Sequence, residues 1–356
     1  MMNKSVKFSV LTVIVLLVTM LIVMLRSATD TSDIATVKRL ISKGVEIYSF
    51  YNDPNDPQPD DPLFDSPPYT KLTLKNVTEE SIRGISGITL CPTSISEKDI
   101  QFLGTLPNLK GINIVSGSLS DSLADEIGQN LNSISDFWIG EVPLSPGVWR
   151  GLGKLNNVSV LILSGTIISD ESFEDGTEMS PISIIISDVQ ISEIGLIKLI
   201  KTDKLETIAL GNTNISDNIT SFFDECPKLN GISITESKIQ CLFVAEMQHT
   251  DKLQSLYLRD TSIDNGIIAS AVRFQNLESL TVWNTNVTES SIPLLETLAK
   301  RLDRIILRED SVDLFKHRKS TIDPQLREEI LSNPLVPGIK KLVDEEHQIT
   351  VPTELR

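Results

Sequence analysis

One phrase returns along this chain and limits what it can fold into. Its clearest copy is LETIALGNTNISD, Leu205 to Asp217, a pattern of L-x-x-L-x-L-x-x-T-x-I-S-D. The phrase recurs at Leu253, Leu277 and Val158, and in weaker form at Ile85, Leu109, Ile134, Pro181, Leu229 and Leu302. The starts lie 23 to 25 residues apart, which makes ten copies of one structural unit. Self-similarity at such a period means a stacked array, not a single closed core.

Within each copy the L-x-L segment alternates apolar and polar residues, the period of a strand with one buried face. Ile208 and Leu210 are predicted to point inward, and Thr207, Ala209 and Gly211 outward. One unit cannot bury its apolar face alone, so the units stack and their strands align as one parallel sheet. Ten strands at ~4.8 Å spacing make a sheet about 45 Å long. Two inward columns follow. One runs Ile88, Ile112, Phe137, Leu161, Ile184, Ile208, Ile232, Leu256, Leu280, Ile305; the other runs Leu90, Ile114, Ile139, Leu163, Ile186, Leu210, Ile234, Leu258, Val282, Leu307. Thr93, Thr166, Thr213, Thr261 and Thr285 hold the ninth position, where a hydroxyl can bond loop backbone groups. The second half of each unit reads as a short helix. A hydroxyl followed by an acid (Ser96-Glu97, Ser120-Asp121, Ser169-Asp170, Ser216-Asp217, Thr288-Glu289) suits an N-cap and first turn. Strands would line the concave side and helices the convex side.

Lys and Arg total 32 against 48 Asp and Glu, a net charge of −16. Residues 1–43 hold six bases and two acids, so the remainder is more acidic than the whole. An acidic solenoid repels phosphate backbones, and nucleic acid is not an expected partner. Phe8–Leu25 is an uncharged run of 18 residues preceded by Lys4 and Lys7. Its length nearly spans a ~30 Å hydrocarbon core, and the preceding lysines favour a cytoplasmic N-terminus. A cleaved signal peptide is the competing reading. The long apolar run and the poor cleavage site at Arg26-Ser27-Ala28 favour an uncleaved anchor.

Ile34, Val37, Leu40 and Ile41 share a helix face, Gly44 is a helix stop, and Val45–Tyr48 alternates as a strand. The Pro- and Asp-rich stretch Asn52–Pro68 reads as a solvated loop; calcium-loop spacing with a central Gly is absent. Tyr69–Leu74 reads as a first, shortened repeat strand. After Val312 the rhythm stops, and Asp323–Ile330 reads as a capped helix shielding the last strand. The expected domains are residues 1–29, tail and transmembrane anchor; 30–84, N-terminal cap; 85–313, ten repeats; and 314–356, C-terminal cap and tail.

The phrase T-x-[IV]-[ST]-[DE] at this period, behind an apolar N-terminal segment and a helix-strand cap, resembles bacterial membrane-anchored leucine-rich-repeat proteins over about residues 33–312. The resemblance implies an α/β solenoid with a curved parallel sheet, a protein-binding role and no cofactor. That family is defined by its scaffold, so no catalytic residues carry over.

The search for chemistry is negative. His249, His317 and His347 cannot meet on the concave face, so neither a His-based triad nor a zinc site is expected. Cys91, Cys226 and Cys241 show no CxxC, and a Cys226–Cys241 disulfide is not favoured. Of the sequons at Asn76, Asn157, Asn214, Asn218 and Asn286, those at Asn157, Asn214 and Asn286 arise in or beside the repeat phrase, and the set reads as consensus by-products, not glycan sites.

The expected role is therefore a non-enzymatic module displayed from a membrane on its extracytoplasmic side. It would bind a protein on the concave sheet; a structural spacer without a dedicated ligand is the alternative. Most outward strand positions are small. Large groups gather at Tyr257, Arg259, Trp283, Arg304 and Arg308, with Arg259, Trp283 and Arg308 in one column. Trp138 stands apart beside Ile162 and Ile185. Tyr, Trp and Arg dominate interface hot spots, so these six residues are the candidate partner-binding set. The competing reading has Trp283 covering the end of the sheet against the C-terminal cap.

Overall fold

The computed structural model of the chain describes residues 32–49, 70–173, 177–237, 239–240, 242–248, 251–302 and 304–307. Phe8–Leu25, the Asn52–Pro68 loop, Cys241, the three histidines, Arg308 and the expected C-terminal helix lie outside the described residues. No helix among the described residues is long and apolar enough to cross a membrane.

The N-terminal cap consists of α1 (32–42), β1 (Glu46–Ser49), β2 (Thr70–Lys71) and α2 (Glu79–Arg83). The repeats then supply β3 (Ile85–Leu90), β4 (Gly111–Val115), β5 (Asp136–Gly140), β6 (Val160–Ser164), β7 (Ser183–Ser187), β8 (Thr207–Gly211), β9 (Gly231–Ser237), β10 (Ser255–Thr261), β11 (Ser279–Trp283) and β12 (Arg304–Leu307). All twelve strands form one sheet, and the ten repeat strands lie in chain order. The expected columns are in register: Ile184 faces Ile208, Ile208 faces Ile232, and Leu256 faces Leu280. Ile88 through Leu280 in the first column and Leu90 through Val282 in the second are buried.

Tyr69–Leu74 is not an eleventh parallel strand. β1 pairs antiparallel with β3, Tyr48 opposite Gly87, and β2 pairs antiparallel with the outer edge of β1. Alternation reports which face a residue takes, not which way the strand runs. Leu72 turns into the core, while Leu74 is 51% exposed. This hairpin covers the edge that a parallel array would otherwise leave open. It is pinned by Lys71 on Glu46, whose Oε2 also accepts from the Tyr48 hydroxyl of the same strand at 2.8 Å.

The threonine column also departs from expectation. The Oγ1 atoms of Thr166, Thr261 and Thr285 are enclosed and bond no protein group. Ser237 in this column does accept from a loop amide, that of Ile239 at 3.3 Å. From β4 to β11 the chain instead turns at a left-handed residue just past each strand core: Ser116, Glu141, Gly165, Asp188, Asn212, Glu236, Asp260 and Asn284, with φ between 47° and 59°. Their amides reach the next rung directly, as Asp188 N–H does to Gly211 O at 3.0 Å and Asn212 N–H to Thr235 O at 3.1 Å. With the backbone satisfied that way, the hydroxyls are not needed.

The second halves of the repeats hold α3 (Glu97–Leu103), α4 (Asp121–Asn130), α5 (Pro146–Leu152), α6 (Glu193–Leu199), α7 (Thr220–Asp224), α8 (Leu242–Glu246), α9 (Asn265–Ala271) and α10 (Ile292–Ala299). Between β6 and β7 the described residues form only a 3-10 turn, Asp170–Ser172. Ser120 caps α4 as expected, accepting from the Leu123 amide, and Ser145 and Ser192, outside the expected caps, do the same for α5 and α6. The acid that follows a cap serves the neighbouring repeat as well. Asp121 accepts from the Ser145 hydroxyl at 3.1 Å, and Glu193 from the amide and hydroxyl of Ser216 at 2.5 and 2.6 Å.

The N-terminal cap is held by a buried carboxylate. Asp99 on α3 has no exposed side-chain surface and meets Arg39 Nη2 at 2.5 Å and Lys43 Nζ at 3.3 Å, both from α1. The Ser96 amide and hydroxyl also donate to it, at 2.9 and 2.8 Å. Burial pushes its pKa up, but the bonds from Arg39, Ser96 and Lys43 outweigh burial and hold it down at about 2.

Candidate protein-interaction face

The solvent side of the sheet presents three outward columns. Most of their residues are small, and several satisfy one another across rungs. Thr207 Oγ1 donates to Ser183 Oγ at 2.7 Å, Ser187 Oγ to Ser164 Oγ at 3.0 Å, and Asn113 Nδ2 to Thr89 Oγ1 at 3.1 Å. Polar groups paired in this way have little left to offer a partner.

The middle column breaks this pattern. Trp138, Ile162 and Ile185 stand opposite one another on β5, β6 and β7. Trp138 is 37% and Ile185 38% exposed, with Ile162 half-buried between them. The indole leans over Gly140, where a Cβ would stand 3.6 Å from Nε1. The flanking columns are low: Gly140, Ser164 and Ser187 on one side, Val160 and Ser183 on the other. Ile182, just before β7, is also exposed.

At the C-terminal end, Arg259 and Trp283 are register partners, and the Arg259 guanidinium carbon lies 4.3 Å from the indole centroid. Arg259 Nε donates to Asp260 Oδ2 at 2.8 Å, and Asn284 Nδ2 donates to Asp260 Oδ1 at 2.5 Å. Burial works against the Arg259 charge, but the Tyr257 and Asp260 bonds and the Asp260 charge raise its pKa overall. Trp283 keeps only 9% of its surface, and Thr281 beside it 4%. Trp283 therefore faces outward yet is covered, unlike Trp138, and the half-buried Tyr257 and Arg259 are the more accessible groups here. Arg304 opens β12 in register with Ser279; Arg308 lies outside the described residues. The two patches are separate, with Ala209 and Ser233 on β8 and β9 between them.

The left-handed turn residues line the strand ends with acids: Glu141, Asp188, Glu236 and Asp260. Gly165, Asn212 and Asn284, and more weakly Asp188 and Asp260, carry a sequence preference for the conformation, whereas Ser116, Glu141 and Glu236 do not. The alternation that located the strands says nothing about it.

Among the described residues, no three of His, Cys, Asp and Glu are grouped to hold a metal ion. Cys226 is buried and its thiol pushed up to about 12 by desolvation, whereas the Thr93 hydroxyl and amide lower the half-exposed Cys91. Both are free thiols. A hollow of about 130 Å³ lies at the seam between the cap and the first repeat, lined by Asp33, Arg83 and Pro107 among others. Sequon residues Asn157 and Asn286 donate their side-chain amides to Asn132 O and Ser262 O of the preceding repeats, so these asparagines belong to the scaffold.

No protein-family model matches this sequence, and no curated protein matches it. Among solved structures the chain is similar to one from the yeast Rad7 and Elc1 complex, at 12% identity over 65% of this chain and 75% of that chain, with a TM-score of 0.35. It is similar to an internalin of Listeria monocytogenes at 14% identity, over 64% of this chain and 88% of that chain, with a TM-score of 0.29. A leucine-rich-repeat protein of Leptospira interrogans is 16% identical over 64% of this chain and 79% of that chain, with a TM-score of 0.25.

Proposed function

We propose that this chain is a non-enzymatic protein-binding module. Phe8–Leu25 holds it at a membrane with the N-terminus cytoplasmic, and its concave sheet is the binding face. The observation that supports this reading most is the in-register row Trp138, Ile162, Ile185, apolar and accessible on a face that is otherwise small and internally bonded. Tyr257 and Arg259, held against Trp283 and followed by Arg304 and Arg308, form a second contact region. A rigid sheet gives such groups fixed positions, so binding loses little conformational entropy.

The experiment is capture of partners from membranes by the full-length protein and by its Trp138→Ala variant. A partner retained by the wild type and lost by the folded variant fits the reading; equal capture by both removes the concave row from it. The membrane part is tested separately. Full-length protein should stay with membranes after alkaline carbonate washing, and a mature N-terminus near Thr29 would refute the anchor.

A further inference from the structure

We infer that the Trp138–Ile162–Ile185 row seats an extended segment of a partner protein that carries apolar side chains flanked by lysine or arginine. This rests on the concave-face reading above and adds the chemistry of the occupant. The row is shallow and unwalled. It spans two rung steps, about 10 Å, which suits a line of side chains from a strand or loop and encloses no small molecule. Its charged surroundings are mainly acidic. From β4 to β8 the strands and the two residues after each contain no lysine or arginine, while Asp136, Glu141 and Asp188 are all exposed there. At the strand starts, Lys110 before β4 lies one rung from Asp136, and Glu206 stands before β8, so the acidic charge is concentrated at the strand exits. Glu141 follows the strand that carries Trp138, and Asp188 the strand that carries Ile185. Both are fixed by a left-handed backbone, and Asp188 is further positioned by Asn212, whose Nδ2 donates to its Oδ1 at 2.8 Å. A bound segment whose apolar groups lie on the row therefore has carboxylates on either side of it. Cations meet complementary charge there, and an acidic segment meets repulsion.

The test uses full-length protein in a non-ionic detergent and three short synthetic peptides: alternating leucine and lysine, the same with glutamate for lysine, and the same with serine for leucine. The leucine–lysine peptide should bind, and the other two at least tenfold more weakly. Trp138→Ala should weaken binding roughly thirtyfold, as loss of an interface hot spot does. Glu141→Gln with Asp188→Asn should weaken it about fivefold at low salt, with the Asp188 acceptor oxygen retained. Asp203→Asn with Glu225→Gln removes the same charge from exposed positions away from the sheet face and should change nothing. No binding of the leucine–lysine peptide, equal binding of the glutamate peptide, or an equal loss in the Asp203/Glu225 control overturns the inference. In the last two cases continued dependence on Trp138 leaves the concave-face reading standing; binding indifferent to Trp138 removes both. Sedimentation that shows Trp138-dependent self-association without peptide binding assigns the row to a second copy of the chain and overturns the basic segment.

Discussion

Asp170 accepts two hydrogen bonds from Ser192 of the following repeat, from the amide at 3.0 Å and from the hydroxyl at 2.5 Å. One carboxylate thus closes the turn after β6 onto the cap of α6. Glu193, the next residue after Ser192, does the same for Ser216, and Asp217 then accepts from the Gln240 amide at 3.0 Å. The column is a chain of charge-assisted bonds running repeat to repeat at the helix starts.

Asp170→Ala should therefore cost about 1–3 kcal/mol, since two donors lose a charged acceptor. A Cβ at Gly195 would stand 2.2 Å from Asp170 Oδ1, so Gly195→Ala should also destabilise, and the two losses should be less than additive. Thermal melts of the two single variants and the double variant check this. Full additivity would show that the carboxylate and the glycine do not share one site.

This ladder shows where the sequence stops being informative. The L-x-L columns were legible because burial selects the residue type at every copy, at a constant period. Asp170 and Ser192 lie 22 residues apart, and Ser-Asp reads equally well as a local cap. The left-handed column was hidden because Glu141 and Glu236 have no preference for that conformation. At the candidate face, alternation put Trp138 and Trp283 on the same side of the sheet. It could not show that one is accessible and the other covered, because coverage depends on what packs over a face and not on the strand's own pattern. β2 misled for a related reason: two paired residues carry too little pattern to reveal direction.

The threonine column gives a second test. Thr261 Oγ1 is enclosed and bonds no protein group, so Thr261→Val should remove a desolvated hydroxyl at no packing cost. The expected result is a stability change between zero and about +1 kcal/mol. A loss beyond about 1 kcal/mol would restore the hydroxyl to the bonding role that the repeat pattern suggests.

Asp99 makes cap docking depend on pH. Its pKa of about 2 lies below that of an unfolded aspartate, so the folded form favours the carboxylate. The stabilisation is complete above pH ~4 and is lost as the pH falls through the folded value. Asp99→Asn should remove that dependence and cost about 2 kcal/mol at neutral pH. Amide exchange in residues 32–42, followed from neutral pH down to about 3, reads it directly. Unchanged protection in the variant would show that Arg39 and Lys43 do not fasten the cap.

At the C-terminal patch, structure and binding can be separated by substitution. Trp283 is 9% exposed, so Trp283→Ala should cost stability as a core truncation does, about 3 kcal/mol. Loss of partner capture by that variant alone could then reflect damaged repeats. Arg259 is the cleaner probe. Its side chain is 36% exposed, and its contact with the indole is worth about 0.5–1 kcal/mol at such a site. Arg259→Gln should therefore melt within about 1 kcal/mol of the wild type while removing the cation that Trp283, Tyr257 and Asp260 hold in place. Weakened partner capture by this variant, with the melt preserved, would make the cluster a binding contact. Undiminished capture would make Arg259 a cover for Trp283, and the row at Trp138 would then carry recognition alone. A Trp283→Ala variant that melts like the wild type would contradict the coverage itself and return Trp283 to the exposed surface.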